Sequence, residues 1–488
     1  MDIIITKNYR ELSQKAAMIF LNYLALNPKA VFGLATGATP LGTYEELIKN
    51  SIKYSYDWSK ITTFNLDEYY AKDLKEEDSY EYYMQINLFD KLNIKKNNTH
   101  LPNYQGTKVK EFCQSYEKLM QAKPIDIQLL GIGENGHIAF NEPGSLSTSK
   151  TRLVKLNQQT LEVNAKFFGD DKIPTQAISM GMETILKAKK IVILASGQHK
   201  AQAVKAMIEG KIGVGCPASY LRNHPKVTVI IDEEAASLLH NKYQVKKTGW
   251  SDLRILNKNI IPQNKKILII SPHHDDSAVS VGAIIRSLTT KNKVTTLVMT
   301  PGYRAKIGKL NKTEKIKLRN KEAKKESRIL GSHLILSQYK FYDYDKKFWR
   351  GDLIKFGKTF KQIKPNIILL PHKYDEHPTH RLATELVSDY LKEHKISGVE
   401  LWYYEGLWSQ HILDNIDIVF GFGKDVLTIK NQAMQAHKSQ ITRLPIIEAS
   451  ESLAKFRAKT LPEQRFVSYG DNPPVIDEYV EVFHVDVI

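Results

Sequence analysis

Cysteine is nearly absent from this sequence: Cys113 and Cys216 are the only two in 488 residues. Two thiols make neither a disulfide framework nor a cysteine-type zinc site, so a reducing compartment is expected, with the cytoplasm as default. Long apolar runs are missing as well. The opening Met-Asp-Ile-Ile-Ile-Thr-Lys has an early acid and only three consecutive apolar residues. No secretory leader or spanning helix is therefore expected, and no membrane partner. Acidic residues are in short supply: 70 Lys+Arg face 53 Asp+Glu, a net charge of +17. The excess is uneven, +4 over residues 1–245 and +13 over 246–488. Within Arg304–Arg328, 11 basic residues meet three Glu. Such a run can mark a nucleic-acid footprint. Ile316, Leu318, Ala323, Ile329 and Leu330 give it a partial apolar stripe, however, which favours a solvated helix face. No nucleic-acid partner is expected.

What remains is an ordinary globular composition, 42% hydrophobic and 25% charged, in a chain too long for one core. The fold class expected is α/β: two doubly wound, mostly parallel domains joined by a polar linker. Short β-branched strands at Ala30–Leu34, Ile61–Asn65, Ile125–Leu130, Ile191–Ala195 and Val227–Ile231 alternate with helical patterns such as Tyr44–Lys49 and Lys200–Glu209. Ile231–Leu239 reads as a closing helix. Residues 241–264 read as the linker. The pattern restarts with strands at Lys266–Ile270, Val294–Met299 and Asn366–Leu370 and helices at Ala278–Leu288 and His380–Leu391. The tail shows a helix near Lys430–Gln440 and then a less regular stretch. Domains of 1–240 and 265–488 result.

Both halves place polar loops where strands end, which is where ligands collect in such sheets. In the first, Ala35-Thr-Gly-Ala-Thr-Pro40 joins a strand to a helix. Gly37 permits close backbone approach, the Thr36 and Thr39 hydroxyls donate, and the helix start offers free N–H groups, a combination suited to phosphate. Asp67 and Glu68 follow the next strand. His137 and Glu142 sit five apart on a glycine-rich loop. In the second half, Ser271-Pro-His-His-Asp-Asp276 follows a buried strand and His377-Pro-Thr-His380 follows another. His273, Asp276 and His380 make a two-His, one-carboxylate set suited to Zn2+ with a fourth position open. Asp275 then serves as general base, and His377 protonates a leaving amine or stabilises an oxyanion.

The segments Ala35–Pro40, Thr63–Tyr70, Gly131–Pro143 and Gly197–Ala201 resemble the glucosamine-6-phosphate deaminase/isomerase family across residues 1–240. The resemblance implies that Thr36, Gly37, Ala38, Thr39 and Lys200 hold a 6-phosphate, with Lys166 as a further ligand where some members have Arg. It implies that His137, steered by Glu142 and Asn135, opens the sugar ring and that Asp67 moves the C2 proton to C1. Ammonia then leaves, no cofactor being needed. Some members have Asp at Asn135, so proton transfer here leans more on Glu142. The second half resembles the LmbE-like (PIG-L type) zinc N-acetylglucosamine deacetylases through Pro272–Ser277, His377–His380 and Ala436-His-Lys-Ser-Gln440. His274, Ser277 and Thr379 depart from that family's Pro, Glu and Asp. The resemblances together imply a bifunctional amino-sugar enzyme acting on small sugar phosphates. Left open are an unrelated acetylglucosaminide as the second substrate, a non-catalytic sensor role for one domain, and homo-oligomerisation.

Overall fold

The computed structural model describes residues 1–158, 160–162, 168, 174–241, 243, 249–344, 350–466 and 473–488. The chain divides into two compact units, one spanning Met1–Ile52 and Tyr56–Asp252, the other Lys53–Ser55 and Leu253–Ile488. The division falls inside the stretch expected as a linker, and its described part is ordered. Gly249–Asp252 is a short helix, and Arg254–Asn257 is an edge strand of the second sheet.

The first unit holds β1 (Asp2–Thr6), β2 (Val31–Leu34), β3 (Thr62–Asn65), β4 (Asp67–Tyr69), β5 (Thr99–His100), β6 (Ile127–Gly131), β7 (Arg152–Lys155), β8 (Gln176–Ser179), β9 (Lys190–Ala195) and β10 (Val227–Asp232). Seven of these form one all-parallel sheet in the order β1-β10-β9-β6-β2-β3-β5. Its central strands read as continuous apolar runs because helices cover both faces. Phe32, Phe64, Ile127, Ile193 and Val229 are wholly buried. The order reverses between β2 and β6, so the loops after these strands diverge and leave a crevice at the switch point. A small antiparallel sheet, β4-β8-β7, lies beside it, with Asp67 registered against Ser179.

The expected strands are found with ends shifted by one or two residues. The expected helix over Ile231–Leu239 is not: β10 runs to Asp232 and turns follow. The reason is local. The Asp232 carboxylate accepts N–H bonds from Gly197 (3.1 Å) and Ala235 (2.8 Å), and the hydroxyl of Ser196 also donates to it. A side chain bonded to its own backbone three residues on stabilises a turn against a continuing helix.

The second unit holds β11 (Arg254–Asn257), β12 (Lys266–Ser271), β13 (Lys293–Val298), β14 (His333–Leu336), β15 (Ile367–Pro371), β16 (Glu400–Tyr404), β17 (Ile418–Phe422) and β18 (Tyr479–Val487), in the order β11-β17-β18-β16-β15-β12-β13-β14. All neighbours pair parallel except β18, which is antiparallel to β16 and β17. From Lys312 onward the basic segment forms a helix, Lys312–Leu330, begun by an Asn311/Glu314 capping box. The tail is more regular than expected. Lys424–Gln435 and the 21-residue Ile446–Phe466 are helices. The latter hides its helical signal because its inward face carries Arg457, which is buried against Glu405. A charge on the core side breaks the apolar periodicity by which helices are read.

Candidate functional sites

In the first unit, β2, β3, β6 and β9 deliver four loops to their carboxyl ends. These enclose a cavity of about 530 Å3 lined by the Thr36–Thr39 loop, Asp67, Asn135, His137, His199 and Lys200. Gly37 has φ +100°, a conformation that excludes most side chains, and its carbonyl accepts a 2.6 Å bond from the Tyr83 hydroxyl. Gly133 is required for another reason. A Cβ there would lie 2.3–2.4 Å from the His137 ring, so the imidazole rests on bare backbone.

Asp67 is 5% exposed. Burial pushes its pKa up to about 8, the neighbouring Glu68 charge adds to this, and a hydrogen bond from Thr36 opposes it. Glu68 points away from the cavity chemistry. Its carboxylate accepts N–H bonds from Tyr69, Tyr80 and Glu81 at 2.8–2.9 Å and so holds the start of helix Tyr80–Asn87. Burial nevertheless raises it to about 7.

His137 Nδ1 lies 3.4 Å from Glu142 Oε2. Asn135 bridges the pair: its Nδ2 donates to Glu142 (2.8 Å) and its Oδ1 accepts the His137 backbone N–H (3.1 Å). Asn157 and Thr160 also donate to Glu142. Burial alone would raise the Glu142 pKa, but the bonds from His137, Thr160 and Asn135 outweigh it and hold the carboxyl below its usual range. The cavity therefore pairs a carboxyl that stays protonated at neutral pH with a carboxylate that stays ionised, a division of acid and base roles by environment. Thr36, Gly37, Ala38, Thr39, Asp67, Asn135, His137 and Lys200 all line this one cavity, and Glu142 stands behind His137. Lys166 lies outside the described residues. Sequence reasoning gave no role to Tyr83, Phe140, Phe168 and His199, which also line the wall. Only Gly197-Gln-His199, beside Lys200, could have signalled the last.

In the second unit the strand ends of β12 and β15 bring together His273, Asp276 and His380. Three donor atoms form a near-equilateral triangle: His273 Nδ1, Asp276 Oδ2 and His380 Nε2 are each 3.2 Å from the other two. A tetrahedral centre with bonds of about 2.0–2.1 Å spaces its ligands roughly 3.3–3.4 Å apart, so the donor set fits a small divalent cation such as Zn2+. The electrostatics fit too. Burial would lower the His380 pKa, but the carboxylates of Asp276 and Asp375 push it up to about 10. The pocket thus draws positive charge to the point where a cation would sit. Asp375 is the orienting partner: its Oδ2 lies 3.0 Å from His380 Nδ1, which leaves Nε2 to face the triangle. Its Oδ1 accepts the His377 backbone N–H at 2.8 Å.

The His377 ring stands 4.8 Å from that of His273 and 4.7 Å from that of His380. Among the described residues these three imidazoles bring their ligand atoms within 4.8 Å of one another. His377 Nδ1 accepts the Thr379 N–H and caps helix Pro378–Glu393. Burial, followed by the charges of His273 and His380, lowers its pKa to about 4, so it enters neutral solution as an N–H donor and not as an imidazolium.

Asp275 diverges from the ligand triangle, as its adjacency to Asp276 requires. Its Oδ1 accepts a 2.6 Å bond from Arg319, a residue of the basic helix that is 2% exposed. Burial would raise the Asp275 pKa, yet Arg319 dominates and lowers it. Behind this pair lies a buried chain. Arg319 reaches Glu322, the Ser439 hydroxyl donates to Glu322, and Glu326 joins His437 (2.5 Å) to the Ser277 hydroxyl (2.6 Å). Arg319, Glu322, Glu326 and Asp375 escaped sequence reasoning, and His437 entered it only within the Ala436–Gln440 segment, without a role. The charge run that reads as a solvated face holds three of them on its inner side.

Residues 7–230 match the family of glucosamine-6-phosphate isomerases and 6-phosphogluconolactonases, and residues 268–391 match the GlcNAc-PI de-N-acetylase family. The glucosamine-6-phosphate deaminases of Halothermothrix orenii (strain H 168) and Clostridium perfringens (strain SM101) are each 48% identical over 241 residues, covering 49% of this chain and all of the relative. A solved structure of a monomeric glucosamine-6-phosphate deaminase is 44% identical and covers 49% of this chain and 100% of its own, with a TM-score of 0.47. The chain belongs to the glucosamine-6-phosphate isomerase/6-phosphogluconolactonase family through its first half and carries a GlcNAc-PI de-N-acetylase domain in its second. No helix among the described residues is long and apolar enough to cross a membrane.

Proposed function

We propose that this chain is a two-site amino-sugar enzyme. Residues 1–240 convert glucosamine 6-phosphate to fructose 6-phosphate and ammonia, and residues 265–488 remove acetate from an N-acetylglucosamine derivative. The observation that carries the first reading is the gathering of Asp67, His137 and the Thr36–Thr39 loop around one cavity, with Glu142 behind the imidazole. The loop and Lys200 hold the phosphate. His137, with Glu142 supporting its positive charge, gives a proton to the ring oxygen. Asp67, once ionised, takes the C2 proton and returns it at C1, so the amine-bearing carbon becomes electrophilic, water adds and ammonia leaves. Positioned acid/base groups of this kind supply about 10²–10⁴-fold each.

In the second domain His273, Asp276 and His380 would hold the cation. When bound it supplies Lewis-acid polarisation of the amide carbonyl. Asp275, kept ionised by Arg319, accepts the proton of the attacking water and hands it to the nitrogen of the departing amine as the C–N bond breaks. His377 offers an N–H to the developing oxyanion. A reason for the fusion is chemical: deacetylation frees the amine that the other site expels. The test is to incubate the zinc-loaded protein with N-acetylglucosamine 6-phosphate and follow acetate and ammonia separately, in wild type and in D67N and D275N. D67N should lose ammonia and keep acetate, whereas D275N should lose both and regain ammonia when glucosamine 6-phosphate is supplied directly. If acetate never forms while glucosamine 6-phosphate is still consumed, the coupled reading fails.

A further inference from the structure

The basic run that begins at Arg304 is absorbed by neither site above, apart from Arg319, Glu322 and Glu326. Its first part leaves β13 and passes directly over the metal-site motif. Gly302 has φ +70°, and a Cβ there would lie 2.8 Å from His274 Nδ1, so the loop is seated on the motif's own second histidine. From that anchor an aromatic chain leads outward. The Tyr342 ring stands 6.2 Å from His273, and Tyr303 stands 5.2 Å from Tyr342. Arg304 is fixed on this platform. Its guanidinium lies 4.9 Å above the Tyr342 ring, its backbone N–H donates to the Tyr342 hydroxyl (3.1 Å), and its Nη2 donates to the Asp343 carbonyl (3.1 Å). Lys312 sits 4.1 Å above Tyr303. From Pro301 to Thr313 the chain carries four basic residues and no acidic one. Among the described residues, Glu314 is turned back into its helix cap and Asp343 accepts the Tyr303 hydroxyl.

We infer that Arg304, stacked on Tyr342 beside the His273 ligand, binds a phosphate monoester carried by the acetylated amino sugar. The inference rests on the deacetylase reading and names its substrate class. A guanidinium has five N–H donors in a planar fork that matches phosphate oxygens, and stacking on an aromatic ring fixes its orientation before the anion arrives. One residue's thickness, that of Tyr342, separates it from a metal ligand. A single hexosamine can therefore present its acetamide to the centre and its phosphate to the rim. The lysines at 306, 309 and 312 add attraction without selecting a sequence or a shape, so the fixed Arg304 is the discriminating group.

The test uses the full-length, zinc-loaded protein and measures acetate release, which the deaminase site does not produce. Wild type should favour N-acetylglucosamine 6-phosphate over N-acetylglucosamine. Arg304→Gln should raise KM for the phosphorylated sugar about 10- to 100-fold with much less change in kcat, as expected for loss of a charged hydrogen bond. Arg304→Lys should recover part of the preference. Hydrogen exchange of peptides over 301–313 in metal-stripped protein gives a readout free of turnover: the phosphorylated sugar should protect them in wild type and not in R304Q. N-acetylglucosamine 1-phosphate and a nucleotide-linked N-acetylglucosamine distinguish a monoester on C6 from other phosphate sources. Preference for the unphosphorylated sugar, equal loss on both sugars in R304Q, or protection only by RNA would overturn the inference and leave the deacetylase reading standing. Absence of acetate from every substrate would remove both.

Discussion

Replacing Asp67 by Asn should cripple deamination and at the same time stabilise the fold, by an amount that depends on pH. The side chain is 5% exposed and its pKa lies near 8, against about 3.9 in an unfolded chain. Between those values the folded state keeps a proton that the unfolded state has released. Raising the pH therefore favours unfolding by about 1.36 kcal/mol per pH unit, and the effect levels off above 8 and below 4. Asn has the same shape, can accept the Thr36 hydroxyl and never ionises. Its advantage over Asp should therefore grow by about 3–4 kcal/mol between pH 5 and pH 8, the window in which the native carboxyl is held neutral. The assay is urea titration of the full chain, with hydrogen exchange read on peptides covering β2, β3 and β6. In parallel, kcat/KM should fall by about 10²–10⁴-fold. A stability difference that stays constant from pH 5 to 8 would refute the assignment of the raised pKa to Asp67. Deamination at close to the wild-type rate would refute its role as base.

In wild type the acid limb of kcat/KM should titrate near 8, the Asp67 value in the free enzyme, and the limb of kcat should lie lower, because a bound ammonium sugar favours the ionised carboxylate; initial rates across pH 5–9 decide it. Gly133→Ala places a methyl 2.3–2.4 Å from the His137 ring, so kcat should drop at least tenfold on the acid/base contribution alone while circular dichroism stays unchanged. Asp375→Asn should weaken cation affinity about 10–100-fold by freeing His380, as chelator competition would show. Arg319→Met strands the Asp275 and Glu322 carboxylates in the core and should destabilise the second domain by about 3–5 kcal/mol in urea.

The parts of the fold that could be read in advance are those where one local rule acts alone. Buried parallel strands are apolar throughout, so β2, β6, β9, β10 and β12 stand out as runs, and the chemistry lies where each run ends. The parts that escaped combine two demands on one residue. Asp232 ends a strand and also braces the Gly197 loop, so acid-rich helical composition turned into turns. Ile446–Phe466 carries Arg457 inward because Glu405 awaits it, which erases the stripe. β18 is antiparallel in an otherwise parallel sheet, a placement that no periodicity encodes. The same holds for the sites. Ligand-type residues at strand ends were visible because their spacing is local. Their supports came from elsewhere: Glu142 takes bonds from Asn157 and Thr160, and Asp275 takes its partner from 44 residues away.

That distinction bears on the three departures from the deacetylase motifs. Thr379 removes a carboxylate that could have oriented the neighbouring histidines, yet Asp375 reaches both His380 Nδ1 and the His377 backbone from five and two residues upstream. Ser277 removes a second carboxylate, yet its hydroxyl donates to Glu326, which brings a carboxylate to the same place with His437 on its far side. His274 replaces a proline, and its ring fills the space beneath Gly302 with Nε2 bonded to Asn320. Both lost carboxylates have another carboxylate close by, Asp375 from the same loop and Glu326 from the basic helix, and the lost proline is replaced by the ring of His274 itself. A domain drifting towards mere ligand sensing has no reason to hold three donor atoms at equal 3.2 Å spacing, because binding a sugar does not require it. Coordinating a cation does. That spacing is what supports the catalytic reading proposed above over a sensor role. The double variant Ser277→Glu/Glu326→Ser tests this directly: if the carboxylate is what matters and not its place of attachment, the double variant should keep cation affinity and acetate release that the single Glu326→Ser variant loses.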